Sequence, residues 1–159
     1  MDVISFFVPG DAKTAGSKRA FTPKGWTRPI IVDDCKGSKD WKGDVKRFAV
    51  ESYSGDPLEC ALEMTLTFVR VRPSGHFTTK GAVRPAAPPH PVSRPDVLKL
   101  ARCVEDALTG LIYKDDSQIC SEPLRKIWGP RPGVHVTIRE LVELTAEQAI
   151  VTTGELNLA

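Results

Sequence analysis

The segment Arg94–Ile119 constrains the fold most, because it combines a strong helical period with a cluster of acidic residues. At about 100° per residue, its apolar side chains fall on one arc of roughly 120°. These side chains are Val97, Leu100, Ala101, Val104, Ala107, Leu108 and Leu111. Asp96 is placed to cap the helix or to begin its first turn, and Gly110 suits the position after its end. The segment therefore predicts one amphipathic helix with its apolar face against a core.

Four aspartates lie in the same segment: Asp96, Asp106, Asp115 and Asp116. Carboxylates held close together in a fold repel one another unless a cation lies between them. Mg²⁺ in phosphate chemistry usually binds one or two carboxylates together with substrate oxygens. The cluster therefore points to metal-assisted phosphodiester hydrolysis, although helix caps and turns also use aspartate and would account for the same residues.

Leu98 does not fit the helical pattern. It lies off the apolar arc, at an angle between those of Arg102 and Glu105, on the first turn after Asp96. A lone exposed leucine is ordinary in a soluble protein. This one, however, closely follows the best candidate for a metal ligand.

The segment also matches a known pattern without a gap: P-D-x-D-N/K-L-x-K/R-x-x-x-D-A-L-x-G-x-x-x-x-D-D-x-Q-[IV]. The matching residues are Pro95, Asp96, Lys99, Leu100, Arg102, Asp106, Ala107, Leu108, Gly110, Asp115, Asp116, Gln118 and Ile119. The chain thus resembles the RusA family of Holliday junction resolvases of bacteria and their phages, more loosely from about Ile4 to Ile138. Leu98 departs from the pattern, since the family carries there one of its essential metal-binding aspartates.

The resemblance implies an α+β fold, in which a small mixed β-sheet packs with two main helices. We expect one nuclease domain over residues 1–140 and a peripheral tail over residues 141–159. The implied function is a divalent-metal-dependent, structure-specific DNA endonuclease that resolves four-way junctions and other branched DNA in recombination and repair. Mg²⁺ would be the cofactor, with Mn²⁺ as a substitute. Symmetric cutting of a junction needs two sites related by a two-fold axis, so the implied assembly is a homodimer.

The resemblance also assigns roles to individual residues. Asp96 and Asp116 would bind the metal, and Asp115 would be either a third ligand or the turn residue that directs Asp116. Arg102 would contact the scissile phosphate or offset the carboxylate charge. Asp106 lies about 15 Å along the helix from Asp96 and is expected to be structural or supporting. The alternative function is a junction-binding protein of the same fold whose cleavage is lost or impaired at Leu98.

The net charge of +2 conceals a strong segregation of charge. Residues 12–30 and 70–95 contain basic residues without an acid, whereas the tail from Glu140 contains acids without a base. Basic segments beside an acidic cluster suit a polyanion around a metal, although a solvated basic loop would have the same composition. Phe21 and Trp26 among the cations could stack on unpaired bases or pack against the sheet edge. The candidate DNA-binding residues are Lys13, Lys18, Arg19, Lys24, Arg72, His76, Lys80, Arg84, Lys99 and Lys126.

The remaining elements follow from local patterns. An apolar run predicts a central first strand, helical spacing from Trp41 to Ala49 predicts another helix, and clean alternation predicts a long strand over 58–71. The loop Arg72–Pro95, with six prolines, is expected to face the substrate and to be partly disordered without DNA. The first strand is predicted over 3–8, and further strands over 30–32, 111–113, 118–128 and 134–138.

Two patterns concern the compartment. No apolar run approaches the length of a membrane span, and the N-terminus lacks the layout of a signal peptide, so we expect a cytoplasmic protein. The cysteines Cys35, Cys60, Cys103 and Cys120 have no C-x-x-C spacing, which favours reduced and mostly packed thiols.

Overall fold

A computed structural model describes residues 3–15, 18–28, 30–33 and 37–142, and within these ranges the side chains of 18–21 and 30–33 are not described. Of the predicted tail, only 141 and 142 fall inside these ranges, and Cys35 lies outside them. The fold is α+β, as predicted, with a five-stranded mixed sheet and two main helices.

The sheet is organised around strand β4, Leu62–Arg70, which pairs with three other strands. Strand β7, Gly133–Glu140, runs antiparallel to β4 on one side and pairs antiparallel with β1, Ile4–Pro9, on its other side. Strands β5, Ile119–Ser121, and β6, Leu124–Trp128, both run parallel to β4 on its second side. Strands β2, Lys18–Phe21, and β3, Ile30–Asp33, form a separate antiparallel pair.

The core lies between this sheet and the two helices. The alternation predicted for β4 is present, since Leu62, Met64, Leu66 and Phe68 are all fully buried. Helix α1, Ser38–Ser52, buries Trp41, Val45 and Ala49 in the same cluster. Helix α2, Val97–Leu108, buries the face that its apolar period predicted, from Leu100 to Leu108.

Three strand predictions were wrong in their details. The first strand is at the edge of the sheet rather than at its centre, because β7 pairs with it on one side and α1 packs near it. Residues 111–113 form a turn with isolated bridges instead of a strand, since the chain reverses directly after Gly110. The segment 118–128 forms two strands, because Glu122 and Pro123 interrupt the pairing with β4 and proline has no N–H to donate.

The loop Arg72–Pro95 contains local hydrogen-bonded structure, and its partial disorder without DNA stays a prediction. It contains a 3₁₀ turn, Ser74–His76, and an isolated antiparallel bridge between Phe77 and Val83. Backbone hydrogen bonds, such as the one from the Arg84 N–H to the His76 carbonyl at 2.8 Å, close it on itself. Many prolines lower the entropy that ordering such a segment costs. In the described part of the chain, no helix has the length and apolar character needed to cross a membrane.

Candidate functional site

Asp96 begins helix α2, as predicted from the sequence. Its carboxylate Oδ1 accepts a hydrogen bond of 3.1 Å from the Leu98 N–H, one of the donors that a helix start leaves unpaired. The side chain is therefore held at the helix N-terminus, where the aligned peptide dipoles favour negative charge.

A cavity of about 860 Å³ opens at this end of α2. Its walls come from the loop before the helix, from the first turn of α2, from β6 and from the segment after β1. They are Thr14, Val92, Ser93, Arg94, Pro95, Asp96, Val97, Lys99 and Lys126. We call this the Asp96 cavity. It combines one carboxylate with three cations, so an anionic ligand suits it better than a lone metal ion does.

Lys126 fixes the wall of the cavity nearest Asp96. From β6 its ammonium donates to the Ser93 carbonyl at 3.0 Å and to the Pro95 carbonyl at 2.9 Å. These bonds tie the last residues of the long loop to the sheet. The position of Asp96 is thereby set by a strand that is nearly thirty residues away in sequence.

Leu98 lies on the surface of the first turn, where its angle on the helix predicted it. Its side chain is 65% exposed, so the core does not require leucine here. A leucine offers no oxygen donor to a cation.

Asp115 and Asp116 come after α2 in the chain, at the start of a 3₁₀ turn. Asp115 caps the 3₁₀ turn Asp116–Gln118 by accepting from the Ser117 N–H at 2.9 Å, and the Gln118 side chain accepts from the Asp115 N–H at 3.0 Å. The hydrogen bonds from Ser117 lower the pKa of Asp115. This arrangement corresponds to the turn role that the sequence left open for Asp115. Asp116 itself is exposed at the first position of the turn.

A pair of carboxyl groups lies near this turn. The carboxyl groups of Glu105, on α2, and Glu122, between β5 and β6, lie close together, and within the described structure Glu122 Oε1 is buried without a hydrogen-bond partner. Burial, the hydrogen bond to Glu105 and its charge raise the pKa of Glu122 to about 8. The buried Tyr113 hydroxyl donates to the Glu105 carbonyl at 3.1 Å, and burial, followed by the charge of Glu105, raises the pKa of Tyr113.

The described part of one chain does not bring together enough donors for the implied metal. Asp96 caps the start of α2, and the Asp115–Asp116 turn follows the other end of this helix in the chain. Across the described ranges, no three His, Cys, Asp or Glu side chains are grouped as metal ligands would be. Because Leu98 supplies no oxygen donor, the described residues of one chain offer only an incomplete set of ligands for a divalent metal.

The other predicted acid and base of α2 have different surroundings. Asp106 accepts from Lys42 at 2.8 Å, an ion pair that joins α2 to α1, in keeping with the structural role expected for it. Arg102 is exposed on the helix surface.

The predicted DNA-binding residues fall into two groups. Lys24, Lys80 and Lys99 are exposed, whereas Lys13 forms an ion pair with Asp11 at 2.8 Å. Arg72, His76 and Arg84 support the long loop: Arg84 Nε, for example, donates to the Phe77 carbonyl at 2.9 Å. The side chains of Lys18 and Arg19 lie outside the described part.

Sequence reasoning missed the Glu105–Glu122 pair and the role of Trp128. The Trp128 indole donates to the Pro88 carbonyl at 3.1 Å, and Arg72 reaches the same oxygen at 3.0 Å. Glu122 was hidden because 118–128 was treated as one strand, although Pro123 marks the break. Trp128 had one signal: it lies on the same face of β6 as Lys126, two positions earlier.

Comparisons with known proteins give two findings. The family model for endodeoxyribonuclease RusA matches residues 11–139. The uncharacterized protein YqaN of Bacillus subtilis strain 168 is 30% identical over 143 residues, which cover 89% of this chain and 99% of that protein.

Proposed function

The chain belongs to the RusA family of endodeoxyribonucleases, and we propose that it binds four-way junctions and other branched DNA and resolves them by cutting the backbone. The geometric observation that supports this proposal is the Asp96 cavity, where a catalytic-motif carboxylate lies among cations at a helix N-terminus. Such an end of a helix favours phosphate through its N–H groups and dipole.

Residues of the cavity would hold the DNA backbone. Lys99 and Arg94 supply positive charge at the rim, and Lys126 keeps Asp96 and the loop in place through the Ser93 and Pro95 carbonyls. In the proposal, exposed cations on the flanking loops, such as Lys24 and Lys80, extend this surface along the DNA.

RusA-type nucleases depend on a divalent metal, and we propose Mg²⁺, with Mn²⁺ as a substitute, for this chain. Asp96 and Asp116 are the proposed ligands, and Arg102 the proposed phosphate contact. Because the described donors are incomplete, calorimetry of Mn²⁺ binding to the whole protein tests the assignment directly. If Asp116 is a ligand, Asp116→Asn weakens binding about tenfold or more without lowering the melting temperature in EDTA. Unchanged binding would remove Asp116 from the site.

The proposed assembly is a homodimer, since paired cuts across a junction need two sites related by a two-fold axis. Light scattering with and without junction DNA measures this. A monomer mass in both samples would contradict the two-site proposal.

A second candidate function is junction binding with impaired cleavage. The observation that favours it is Leu98, an exposed side chain without an oxygen donor at the position where the family carries a ligand. The two candidates share the binding step and differ only in the cut.

One experiment separates them. Labelled four-way junctions and linear duplexes are titrated with protein in EDTA, and junctions are then incubated with Mg²⁺. We expect tighter binding of the junction, with log K falling by about 0.9 per phosphate contact for each unit of log salt, and slow, paired nicks. Binding without nicks would leave the second candidate, and a flat salt response with no preference for the junction would contradict both.

A further inference from the structure

A second pocket lies beside the Asp96 cavity, where the long loop leaves the sheet. It has a volume of about 300 Å³ and is lined by Val71, Arg72, Phe77, Trp128, Gly129 and Pro130. We call it the Trp128 pocket. Its walls are mainly apolar, with two aromatic rings and one guanidinium group.

The walls of this pocket are held by a contact between two of its lining residues and by contacts with Pro88 and His76. Trp128 and Arg72 both donate to the Pro88 carbonyl, at 3.1 and 3.0 Å, and the Arg72 guanidinium lies 5.2 Å from the centre of the Trp128 ring. His76 packs edge-on against the same ring at 5.4 Å. These contacts fix the Trp128 and Arg72 side chains relative to each other, which reduces the entropy that binding would cost.

The two cavities are neighbours along one strand. Lys126 lines the first and Trp128 the second, and as alternate residues of β6 they lie on one face, about 6.6 Å apart along the strand. This separation is close to that of neighbouring phosphates in an extended DNA strand. A strand with a phosphate at Lys126 would bring the adjoining nucleotide to the Trp128 pocket.

We propose that the Trp128 pocket binds one unstacked nucleobase of the branched DNA, next to the phosphate held in the Asp96 cavity. The inference rests on the proposed binding of junctions. Aromatic rings and arginine are the side chains on which single bases stack, with little dependence on sequence. A base at a branch point costs less to unstack than one inside a duplex. The pocket would therefore favour branched over linear DNA.

A thermodynamic cycle in EDTA tests this without any need for cleavage. Each nucleotide at the branch point of a four-way junction is made abasic in turn, and the affinities of the intact protein and of Phe77→Ala are measured by gel shift. The matched control is Trp26→Ala, which removes a 63% exposed aromatic residue from the basic loop between β2 and β3.

We expect Phe77→Ala to weaken binding of the intact junction about tenfold, and one abasic position to weaken the unaltered protein by a similar factor. Phe77→Ala tested on the sensitive abasic junction should show no further loss of affinity, because the variant and the abasic position remove the same contact between base and pocket. Three results would overturn the proposal. The losses of affinity from Phe77→Ala and from the abasic position could multiply, no abasic position could affect binding, or Trp26→Ala rather than Phe77→Ala could show the non-additive loss. If the protein binds junctions more tightly than duplexes but the two losses of affinity multiply, only the proposed role of the Trp128 pocket is wrong. If it binds junctions no more tightly than duplexes, the proposed function is wrong as well.

If Phe77→Ala melts at a lower temperature than the unaltered protein, Phe77→Leu replaces it in the same binding measurements. It retains an apolar side chain and removes the aromatic face, so we expect a several-fold loss of affinity for the intact junction and none for the sensitive abasic junction. Unchanged affinity for both would overturn the proposal.

Discussion

The two ends of helix α2 carry the same type of residue in opposite surroundings. At the N-terminal end, Asp96 is exposed, caps the helix and faces a cavity with Lys99 and Lys126. Near the C-terminal end, Glu105 lies beside Glu122 and the buried Tyr113, and burial and the Glu105 carboxyl raise the pKa of Glu122. At one end cations line the cavity beside the carboxylate, and at the other end a second, half-buried carboxyl group lies next to it.

This difference shows that the neighbouring elements, rather than the helix, determine the chemistry of each carboxyl group. Open solvent and nearby cations keep a carboxylate available, whereas burial and a second acid favour the protonated form. Leu98 belongs to the first, open environment, which makes it the most informative position to change.

The largest effect is expected from Leu98→Asp. It would restore an oxygen donor on the first turn, so Mg²⁺-dependent cutting of a four-way junction should appear or rise on the order of 100-fold or more. Because the leucine is 65% exposed, the fold should survive the change. In EDTA the leucine form should melt at the same temperature or higher, since the added carboxylate lies close to Asp96.

Val92→Asp is the matched control for that experiment. Val92 is also exposed and lines the Asp96 cavity, so the variant adds a carboxylate nearby but away from the family position. Equal increases in the cutting rate of both variants would mean that a carboxylate added anywhere near Asp96 promotes cleavage. No gain in a well-folded Leu98→Asp protein would mean that the site has been misplaced.

A smaller effect should distinguish the lysines at the two ends of α2. Lys99 lines the Asp96 cavity, whereas Lys114 is exposed near the other end, 2.6 Å from Glu59. Lys99→Ala should weaken junction binding several-fold and reduce the slope of log K against log salt by about one. Lys114→Ala should leave the slope unchanged, and equal effects would place DNA at both ends.

The smallest effect concerns the pH dependence of stability. The pKa of Glu122 is about 8 in the fold against an ordinary value of 4.5, so the fold favours the protonated form. This contribution is complete below pH 4.5 and is lost as the pH rises through about 8. When the pH is raised from 4.5 to about 8, we expect the Tm of the unaltered protein to fall by about 2 °C more than that of Glu122→Gln. The difference is modest because the Glu122 carboxyl is partly exposed. Thermal melts with Glu51→Gln as the control measure it, and parallel curves for all three proteins would refute the raised pKa of Glu122.

The sequence was sufficient for features that depend on local repetition. The apolar period placed α2 and its buried face, Asp96 acts as the cap and Gly110 follows the end with a positive φ of 78°. The alternation in β4 identified its buried residues, and the motif from Pro95 to Ile119 identified the family. These signals are carried by residues that are close together in the chain, where periodicity and turn chemistry act directly.

Pairings between distant segments were decided only by the tertiary structure. Lys126 binds the Ser93 and Pro95 carbonyls, Trp128 meets Arg72 at the Pro88 carbonyl, and Glu122 meets Glu105, each across a long stretch of sequence. The edge position of β1 likewise depends on which strand pairs with it. A local pattern specifies which face of an element is apolar, but the polar partner of a side chain depends on how sheet and helices pack, because hydrogen bonds and charges act only over short distances in space.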